Sequence, residues 1–263
     1  MKKKIIDNIK TLFYALLIAL FIRSFFFQPF YIPSSSMEPN LLIGDRLFVS
    51  KYSYGYSQHS FPFSPKIFTG RILKKTPKRG DVVVFKTPAD NRTDYIKRLI
   101  GLPGDKVQII NKDLYLNGIK IEKKQVETSL NINCGGEILK VDVYEETLPN
   151  GTKYLAVYRK DATMINSDEF IVPNEHYFFL GDNRDCSKDS RFLSSVGYVN
   201  FNNLVGKARI IFFSTNKKKG SFFKFWNWNQ IVRKDRLFKK IKCFKIYINF
   251  KNLKKLGLKM KHC

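Results

Sequence analysis

The N-terminal segment of this chain is basic and then strongly apolar, and it constrains everything that follows. Four lysines lie among the first ten residues, and residues 12–22, LFYALLIALFI, are apolar throughout. A helix needs about 20 mostly apolar residues to cross a bilayer core of roughly 30 Å. Residues 11–30 reach that length if Arg23 extends its guanidinium group to an interface. We therefore predict a basic segment over residues 1–10 and a transmembrane anchor over residues 11–30.

A cleaved secretory signal peptide is the alternative interpretation of this segment, because it also begins with lysines and an apolar run. No small-x-small cleavage site follows, and the bulky stretch of residues 24–32 is a poor place to cut. A retained anchor is therefore favoured. The lysines place the N-terminus in the cytoplasm. The later apolar run at residues 208–213 is too short for a second span, so the rest of the chain is expected on the outer face.

The charge of the chain is concentrated at its C-terminal end. The 47 basic and 22 acidic residues of the 263-residue chain give a net charge of +25. Residues 217–261 hold sixteen lysines and arginines against one acid, Asp235, which is a net +15. Aromatic residues between 222 and 228 stand among them, a mixture that suits a membrane interface or stacked single-stranded nucleic acid. Since the predicted topology faces outward, residues 216–263 are interpreted as a membrane-surface tail, with no nucleic acid expected.

Between the anchor and this tail, short runs rich in β-branched and aromatic residues alternate with turn signals. The predicted strands are residues 46–50, 81–85, 106–110, 114–116, 138–143, 153–158, 176–180 and 206–213. The dipeptides at 117–118 and 150–151, both Asn-Gly, predict hairpins. We expect a mainly β fold, antiparallel and barrel- or sandwich-like. Residues 31–116 and 174–215 would form its core, and residues 117–173 an inserted β-rich subdomain.

Cysteine usage excludes the common metal and redox motifs. Cys134, Cys186, Cys243 and Cys263 include no C-x-x-C pair. An exported domain could form a disulfide from one of the possible pairs, although the spacing does not say which. Four unpaired thiols are the alternative. No metal or other cofactor is expected.

Histidine is too scarce for a conventional triad, because only His59, His176 and His262 occur and no Ser-His-Asp pattern surrounds them. A serine protease built on this chain would need lysine as its base. The serines of residues 33–39, PSSSMEP, could supply a nucleophile, or could form a simple linker. Lys97 lies in a strand-like run of residues 94–105. If its side chain is on the buried face its pKa falls and it becomes a usable base, whereas on the solvent face it is an ordinary lysine.

At these residues the chain resembles the type I signal peptidases, also called leader peptidases. The resemblance rests on an ordered series of motifs after an N-terminal anchor. These are FFFQPFYIPSSSMEPNLLIGDRLFVSKYSYG at 25–55, RGDVVVFK at 79–86, DYIKRLIGLPGD at 94–105, GDNRDCSKDSR at 181–191 and NLVGKARIIFFS at 203–214. Each motif is weak alone, but their combination and order are specific.

The resemblance implies a role for individual residues. Ser36 corresponds to the nucleophile and Lys97 to the general base of a Ser-Lys dyad. Ser34 corresponds to the hydroxyl that completes the oxyanion hole with the Ser36 backbone N–H, and Ser187 to the serine that orients the lysine. Supporting and substrate-binding positions are implied as well. The supporting pair is Asp189 and Arg191, and the apolar pocket positions are Phe30, Ile32, Met37, Leu47, Val84, Tyr95 and Ile96.

The implied function is membrane-bound endopeptidase cleavage of signal peptides from exported preproteins, after small residues of the Ala-x-Ala type. The implied partners are signal peptides and membrane lipids, and the implied location is a bacterial cytoplasmic membrane with the catalytic domain outside. Cys186 departs from the family, where many relatives have Asn, and residues 243–263 extend past its usual end. Two rival hypotheses are a non-catalytic polybasic surface-binding protein and a self-cleaving repressor-type protease. The second should carry an N-terminal DNA-binding helix pair, where an apolar anchor stands instead.

Overall fold

The computed structural model describes residues 2–66, 68–161, 164–216 and 231–241. Its first element is helix α1, Lys2–Phe25. Within the described residues, α1 is the one helix long and apolar enough to cross a membrane, and its apolar window is not buried by the rest of the protein. The predicted anchor extended to residue 30, but the helix ends at Phe25. The chain leaves the helix because β1 begins at Phe27, opposite Ser50 of β2, and Pro29 would in any case prevent helical geometry at residue 28.

Strands make up most of the remaining described residues, which confirms the mainly β prediction. They are β1 Phe27–Tyr31, β2 Asp45–Ser50, β3 Val82–Lys86, β4 Asp94–Gly101, β5 Lys106–Ile110, β6 Asp113–Leu116, β7 Ile119–Lys120, β8 Glu122–Cys134, β9 Glu137–Thr147, β10 Lys153–Arg159, β11 Phe170–Ile171, β12 His176–Leu180, β13 Val199–Asn200, β14 Leu204–Ser214 and β15 Lys239–Lys240. Short 3-10 helices span Gln58–Ser60, Phe201–Asn203 and Lys234–Arg236.

The largest sheet in the described part of the chain has eight strands. Seven follow the order β1-β2-β14-β3-β4-β12-β13, and β15 pairs with β14. Every pairing is antiparallel. Register shifts in β14, against both β2 and β3, bend the strand. The sheet therefore curls into a half-barrel whose apolar interior includes Leu47, Val84 and Ile211.

Two smaller sheets carry the middle of the chain. One has the order β11-β5-β6-β7 and the other the order β10-β9-β8. The Asn117-Gly118 hairpin prediction is confirmed, since these residues turn the chain between β6 and β7 with φ values of 53° and 76°. The strands on either side of this hairpin, β6 and β7, belong to the same sheet. The predicted border of the inserted subdomain at residue 117 therefore does not coincide with a border between sheets. Sequence could not locate this border, because strand pairing is a tertiary property.

Part of the C-terminal tail packs on the core. Ile231 is buried, and the Arg236 guanidinium group binds the buried Asp45 carboxylate with Nη2 2.5 Å from Oδ2. β15 extends the large sheet beside Ile210 and Ile211. Residues 231–241 thus belong to the folded domain rather than to a separate surface tail. The predicted aromatic and basic stretches at 217–230 and 242–263 lie outside the described residues.

Candidate active site

The loop between β1 and β2 carries the three serines and holds Ser35 and Ser36 in the interior. Asn183, from the segment that follows β12, secures this loop. Its backbone N–H donates to the Ser36 carbonyl at 3.1 Å, and its side-chain amide donates to the Ser35 carbonyl at 3.2 Å. The serines are therefore part of a fixed turn, which argues against a flexible linker.

Lys97 reaches this loop from the middle of β4. Its Nζ lies 2.5 Å from Ser36 Oγ, although the two residues are 61 positions apart in the chain. Both side chains are buried, with Lys97 4% and Ser36 6% exposed. Pairing between β3 and β4 sets the register, with Lys97 opposite Val83. The structure thus brings together the two residues that sequence reasoning singled out for nucleophile and base.

The surroundings of Lys97 favour its neutral form. Burial lowers its pKa from 10.5 to about 8, because the charged ammonium loses its hydration. Asp189 and Asp182 oppose this shift and Arg191 adds to it. The Tyr95 ring, on the same strand, lies 5.5 Å from Nζ. A lysine whose pKa is near 8 is partly neutral near physiological pH and can accept a proton there.

Two further serines stand close to this pair. Ser34 is exposed, and its hydroxyl lies 3.4 Å from Ser36 Oγ. Ser187 is buried, and within the described residues its hydroxyl has no hydrogen-bond partner. Gly181 separates Ser187 from the nucleophile loop: a Cβ at this position would lie 2.2 Å from Ser187 Oγ and 2.6 Å from the Ser36 carbonyl oxygen. Position 181 therefore requires glycine.

Buried ion pairs hold the segment of residues 181–191 in place. Arg191 Nε donates to Asp189 Oδ1 at 2.7 Å, and Asp189 Oδ2 accepts from the Gly181 N–H at 2.9 Å. Arg98, next to Lys97, forms a bidentate pair with Asp182, with both N···O distances 2.7 Å. Such two-point pairs fix orientation as well as charge. The predicted supporting pair, Asp189 and Arg191, is therefore one of several buried ion pairs that fix this segment.

Sequence reasoning missed the Arg98–Asp182 pair, the Asn183 contacts and a third buried pair. In that third pair, Arg184 Nη2 lies 2.5 Å from Glu146 Oε2, which links β9 to the 181–191 segment. Asp182, Asn183 and Arg184 belong to the motif of residues 181–191, and the sequence alone assigned them no partners. Several charged residues stand close together there, next to an apolar strand. Because buried charges need partners, this charge density could have predicted buried ion pairs.

Most of the predicted pocket positions form one apolar cluster inside the half-barrel. Its members among the predictions are Phe30, Ile32, Met37, Leu47, Val84 and Ile96. Tyr95 packs instead beside Phe85, on the other side of β4. Only Phe30, Tyr95 and Ile96 are partly exposed, and the other four are buried. A ligand side chain at the half-barrel face would meet Phe30 and Ile96 first, since these are the partly exposed members of that cluster.

The structure decides the cysteine pairing that the sequence left open. Cys134, the last residue of β8, forms a disulfide with Cys186, with a Cα–Cα distance of 5.7 Å. Cys243 and Cys263 lie outside the described residues. In the part of the chain that the structure describes, no group of three or more His, Cys, Asp or Glu side chains is arranged to hold a metal ion.

Comparison with known proteins adds an independent finding. The profile of the family described as signal peptidase, peptidase S26, matches residues 5–213. A signal peptidase I of Rickettsia bellii (strain OSU 85-389) is 45% identical over 215 residues, which are 78% of this chain and 72% of the relative. A signal peptidase I of Rickettsia typhi (strain ATCC VR-144 / Wilmington) is 42% identical over 246 residues, 87% of this chain and 90% of the relative. The crystal structure of a signal peptidase I from Enterococcus faecalis V583 is 30% identical, covers 51% of this chain and 97% of its own, and has a TM-score of 0.30.

Proposed function

The chain belongs to the signal peptidase I family of S26 peptidases, and from that premise we propose that Ser36 and Lys97 are the catalytic pair with which this serine endopeptidase cleaves signal peptides. The observation that carries the proposal is the 2.5 Å separation of Ser36 Oγ and Lys97 Nζ in a buried site. The lysine side chain takes the place that histidine has in conventional serine proteases. No cofactor is needed for this chemistry.

The chemical steps follow from the positions of the groups. Neutral Lys97 accepts the Ser36 proton while Oγ attacks the scissile carbonyl carbon, and the carbonyl oxygen becomes an oxyanion. Ser34 Oγ, 3.4 Å from the nucleophile, and the Ser36 backbone N–H are the proposed donors to that oxyanion. The ammonium of Lys97 then protonates the leaving amine, which leaves an acyl-enzyme on Ser36. Water, deprotonated by Lys97, attacks the ester carbonyl, and the resulting ammonium returns the proton to Ser36 Oγ as the carboxylic acid product leaves.

The sheet suggests how a signal peptide binds. β1 is an edge strand of the large sheet, and residues 94–97 of β4 extend beyond the part of β4 that pairs with β12. We propose that the substrate binds as an extended strand beside residues 28–34 and 94–97, with backbone hydrogen bonds that do not depend on side chains. Sequence preference then comes from the apolar pocket. Its partly exposed members, Phe30 and Ile96, together with Tyr95 on the other side of β4, would contact small side chains of the Ala-x-Ala type, and Ile32, Met37, Leu47 and Val84 would form the pocket walls.

The remaining site residues have supporting roles in this proposal. Ser187 orients Lys97, and Asp189 with Arg191 holds the segment that carries Ser187. The family and the apolar helix α1 indicate a membrane-anchored protein. We further propose a single span in a bacterial cytoplasmic membrane, with lipid as a second partner and the catalytic domain on the outer face. The large sheet and the 181–191 segment would then carry catalysis, and the two smaller sheets would be accessory.

A cleavage assay tests the proposal directly. The full chain in detergent should cut a preprotein after its signal peptide, and Ser36→Ala should abolish that cut while it leaves membrane association unchanged. Equal cleavage by Ser36→Ala and the unmodified chain would contradict the proposed pair. A chain that binds anionic vesicles but never cleaves would favour the rival hypothesis of a polybasic surface-binding protein.

A further inference from the structure

Cys186 precedes the proposed base-orienting serine by one residue, and it is tied to a distant part of the chain. Its partner Cys134 lies 52 residues earlier, at the tip of the β8–β9 ribbon. Gly135 and Gly136 turn the ribbon immediately after Cys134, with φ values of 64° and 108°. The disulfide therefore joins this ribbon tip to the residue beside Ser187.

β10 contacts both halves of the 181–187 turn, and the second half is also held by the disulfide. β10 holds the first half, since the Val157 N–H donates to the Asp182 carbonyl at 2.9 Å and the Arg184 N–H donates to the Val157 carbonyl at 3.1 Å. Near the second half, Asp185 accepts from the Arg159 N–H at 2.8 Å, and the Cys186 N–H donates to Asn183 Oδ1 at 3.3 Å. The covalent bond to Cys134 is the strongest restraint on this second half.

Apolar packing supports the same junction. Both half-cystines pack on a buried cluster that β8, β9 and β10 build together. Its buried members are Ile132, Leu139, Val141, Val143 and Val157. The ribbon tip is thus a fixed support for the turn.

The disulfide fixes the backbone next to Ser187, a residue whose hydroxyl has little space around it and no hydrogen bond within the described part of the chain. Ser187 packs over Gly181, where the Ser36 carbonyl oxygen is also close. Its hydroxyl is buried with no hydrogen-bond partner among the described residues. A buried hydroxyl without a partner is costly, so Ser187 does not stay there through its own hydrogen bonding. Its place depends on the backbone that carries it.

Charged groups of the same segment influence the pKa of Lys97. The charged groups that act on it are Asp189, Asp182 and Arg191, all from residues 181–191. From its own strand it meets the Tyr95 ring, and from the nucleophile loop it meets the Ser36 hydroxyl. A displacement of the segment therefore changes both the burial and the charge around the proposed base.

We propose that the Cys134–Cys186 disulfide is a positioning crosslink, which holds Ser187 against the nucleophile loop and keeps the Lys97 site closed to water. Cys134 and Cys186 act through Ser187 and Lys97 and contact no substrate. The inference rests on the proposed roles of Ser36 and Lys97. It assigns a function to Cys186, where the family resemblance leads one to expect Asn.

Cysteine variants of the full chain in detergent test this proposal. Cys134→Ser, Cys186→Ser and the double variant should each lower kcat on the order of 10-fold with little change in KM, because a small misplacement of catalytic groups is costly. All three should be alike, since each removes the same bond. Thr128→Ser, at an exposed position of the same β8–β9 ribbon, should behave like the unmodified chain. A melting curve shows which variants are folded.

The pH profile separates positioning from simple structural support. Water that enters a loosened site relieves the desolvation that lowers the Lys97 pKa. The acid limb of kcat/KM should therefore move to higher pH in the cysteine variants. An unchanged acid limb overturns the proposal, whether or not kcat falls. So does a non-reducing peptide map that lacks a Cys134–Cys186 linked peptide.

Reduction of the folded, unmodified chain is a second measurement of the same effect. Dithiothreitol supplies two electrons and two protons, which convert the disulfide to two thiols, and becomes a cyclic disulfide itself. Activity should fall and the acid limb should shift as in the variants, while Cys134→Ser should not respond. If Ser36→Ala cleaves as fast as the unmodified chain, the catalytic pair is wrong. If Ser36→Ala is inactive and reduction has no effect, only the positioning proposal is wrong.

Discussion

At the scale of residues, the proposed pair of Ser36 and Lys97 would act as one chemical unit, because the nucleophile cannot attack until the base takes its proton. We expect Ser36→Ala and Lys97→Ala each to lower kcat by at least about 10³-fold, and the double variant to be no worse than either. Lys97→Arg should fail as well, since guanidinium does not deprotonate near neutral pH. Lys140→Ala is the matched control, because Lys140 is exposed. Single-turnover kinetics of the five variants and the unmodified chain measure these effects. If the losses of Ser36→Ala and Lys97→Ala added up in the double variant, the two residues would not act as a pair.

The protonation of Lys97 predicts how activity depends on pH. Burial lowers the Lys97 pKa to about 8, and the ammonium form that prevails below that value cannot act as base. The rate should therefore climb from acid pH, reach half of its maximum near pH 8 and level off above. Ser187→Ala should reduce the rate less than Lys97→Ala does, because the proposed role of Ser187 is to orient the base and not to accept the proton. Full activity near pH 5 would exclude lysine as the base.

At the scale of elements, a buried charge joins β9 to the 181–191 segment. Glu146 is 1% exposed and accepts hydrogen bonds from Tyr154, Tyr158 and Arg184. Glu146→Gln leaves Arg184 without its counter-charge, and breaking a buried pair costs about 3–5 kcal/mol. We expect a loss of this size in the free energy of unfolding, measured by urea titration.

The neighbouring residue supplies the control for this prediction. Glu145 pairs with Lys153 at 3.3 Å, and the Lys153 side chain is 57% exposed. Exposed pairs contribute at most about 1 kcal/mol, so Glu145→Gln should change the free energy of unfolding very little. Equal losses for the two substitutions would show that the buried pair does not connect these elements as described.

At the scale of the whole molecule, the N-terminus and the catalytic domain are expected on opposite faces of the bilayer, joined by the anchor. The lysines before residue 12 predict a cytoplasmic N-terminus and an outer catalytic domain. Protease added to inverted vesicles, whose cytoplasmic face is outermost, should leave the catalytic domain intact. The N-terminus of the recovered protein should retain residues 1–30. Digestion of the domain in sealed inverted vesicles, or loss of the N-terminal segment, would refute this topology.

The sequence by itself determined the features that depend on local pattern. Residues 12–22 predicted the helix, because apolar length is a property of consecutive residues, and short β-branched runs predicted the strands. The ordered motifs predicted the family and drew attention to Ser36 and Lys97. The predicted roles of the other site residues came from the same motifs and stay predictions, although the structure places many of those residues around one site.

Only the tertiary structure decided which distant residues meet. It placed Lys97 on the buried side of β4, paired Cys134 with Cys186, and matched Arg98 with Asp182 and Arg184 with Glu146. Sequence could propose charged residues and cysteines but not their partners, because partner choice depends on strand register and sheet curvature. The end of α1 and the division into three sheets were settled in the same way. Local propensity predicts which segments form helices and strands, whereas long-range pairing determines which strands and side chains come into contact.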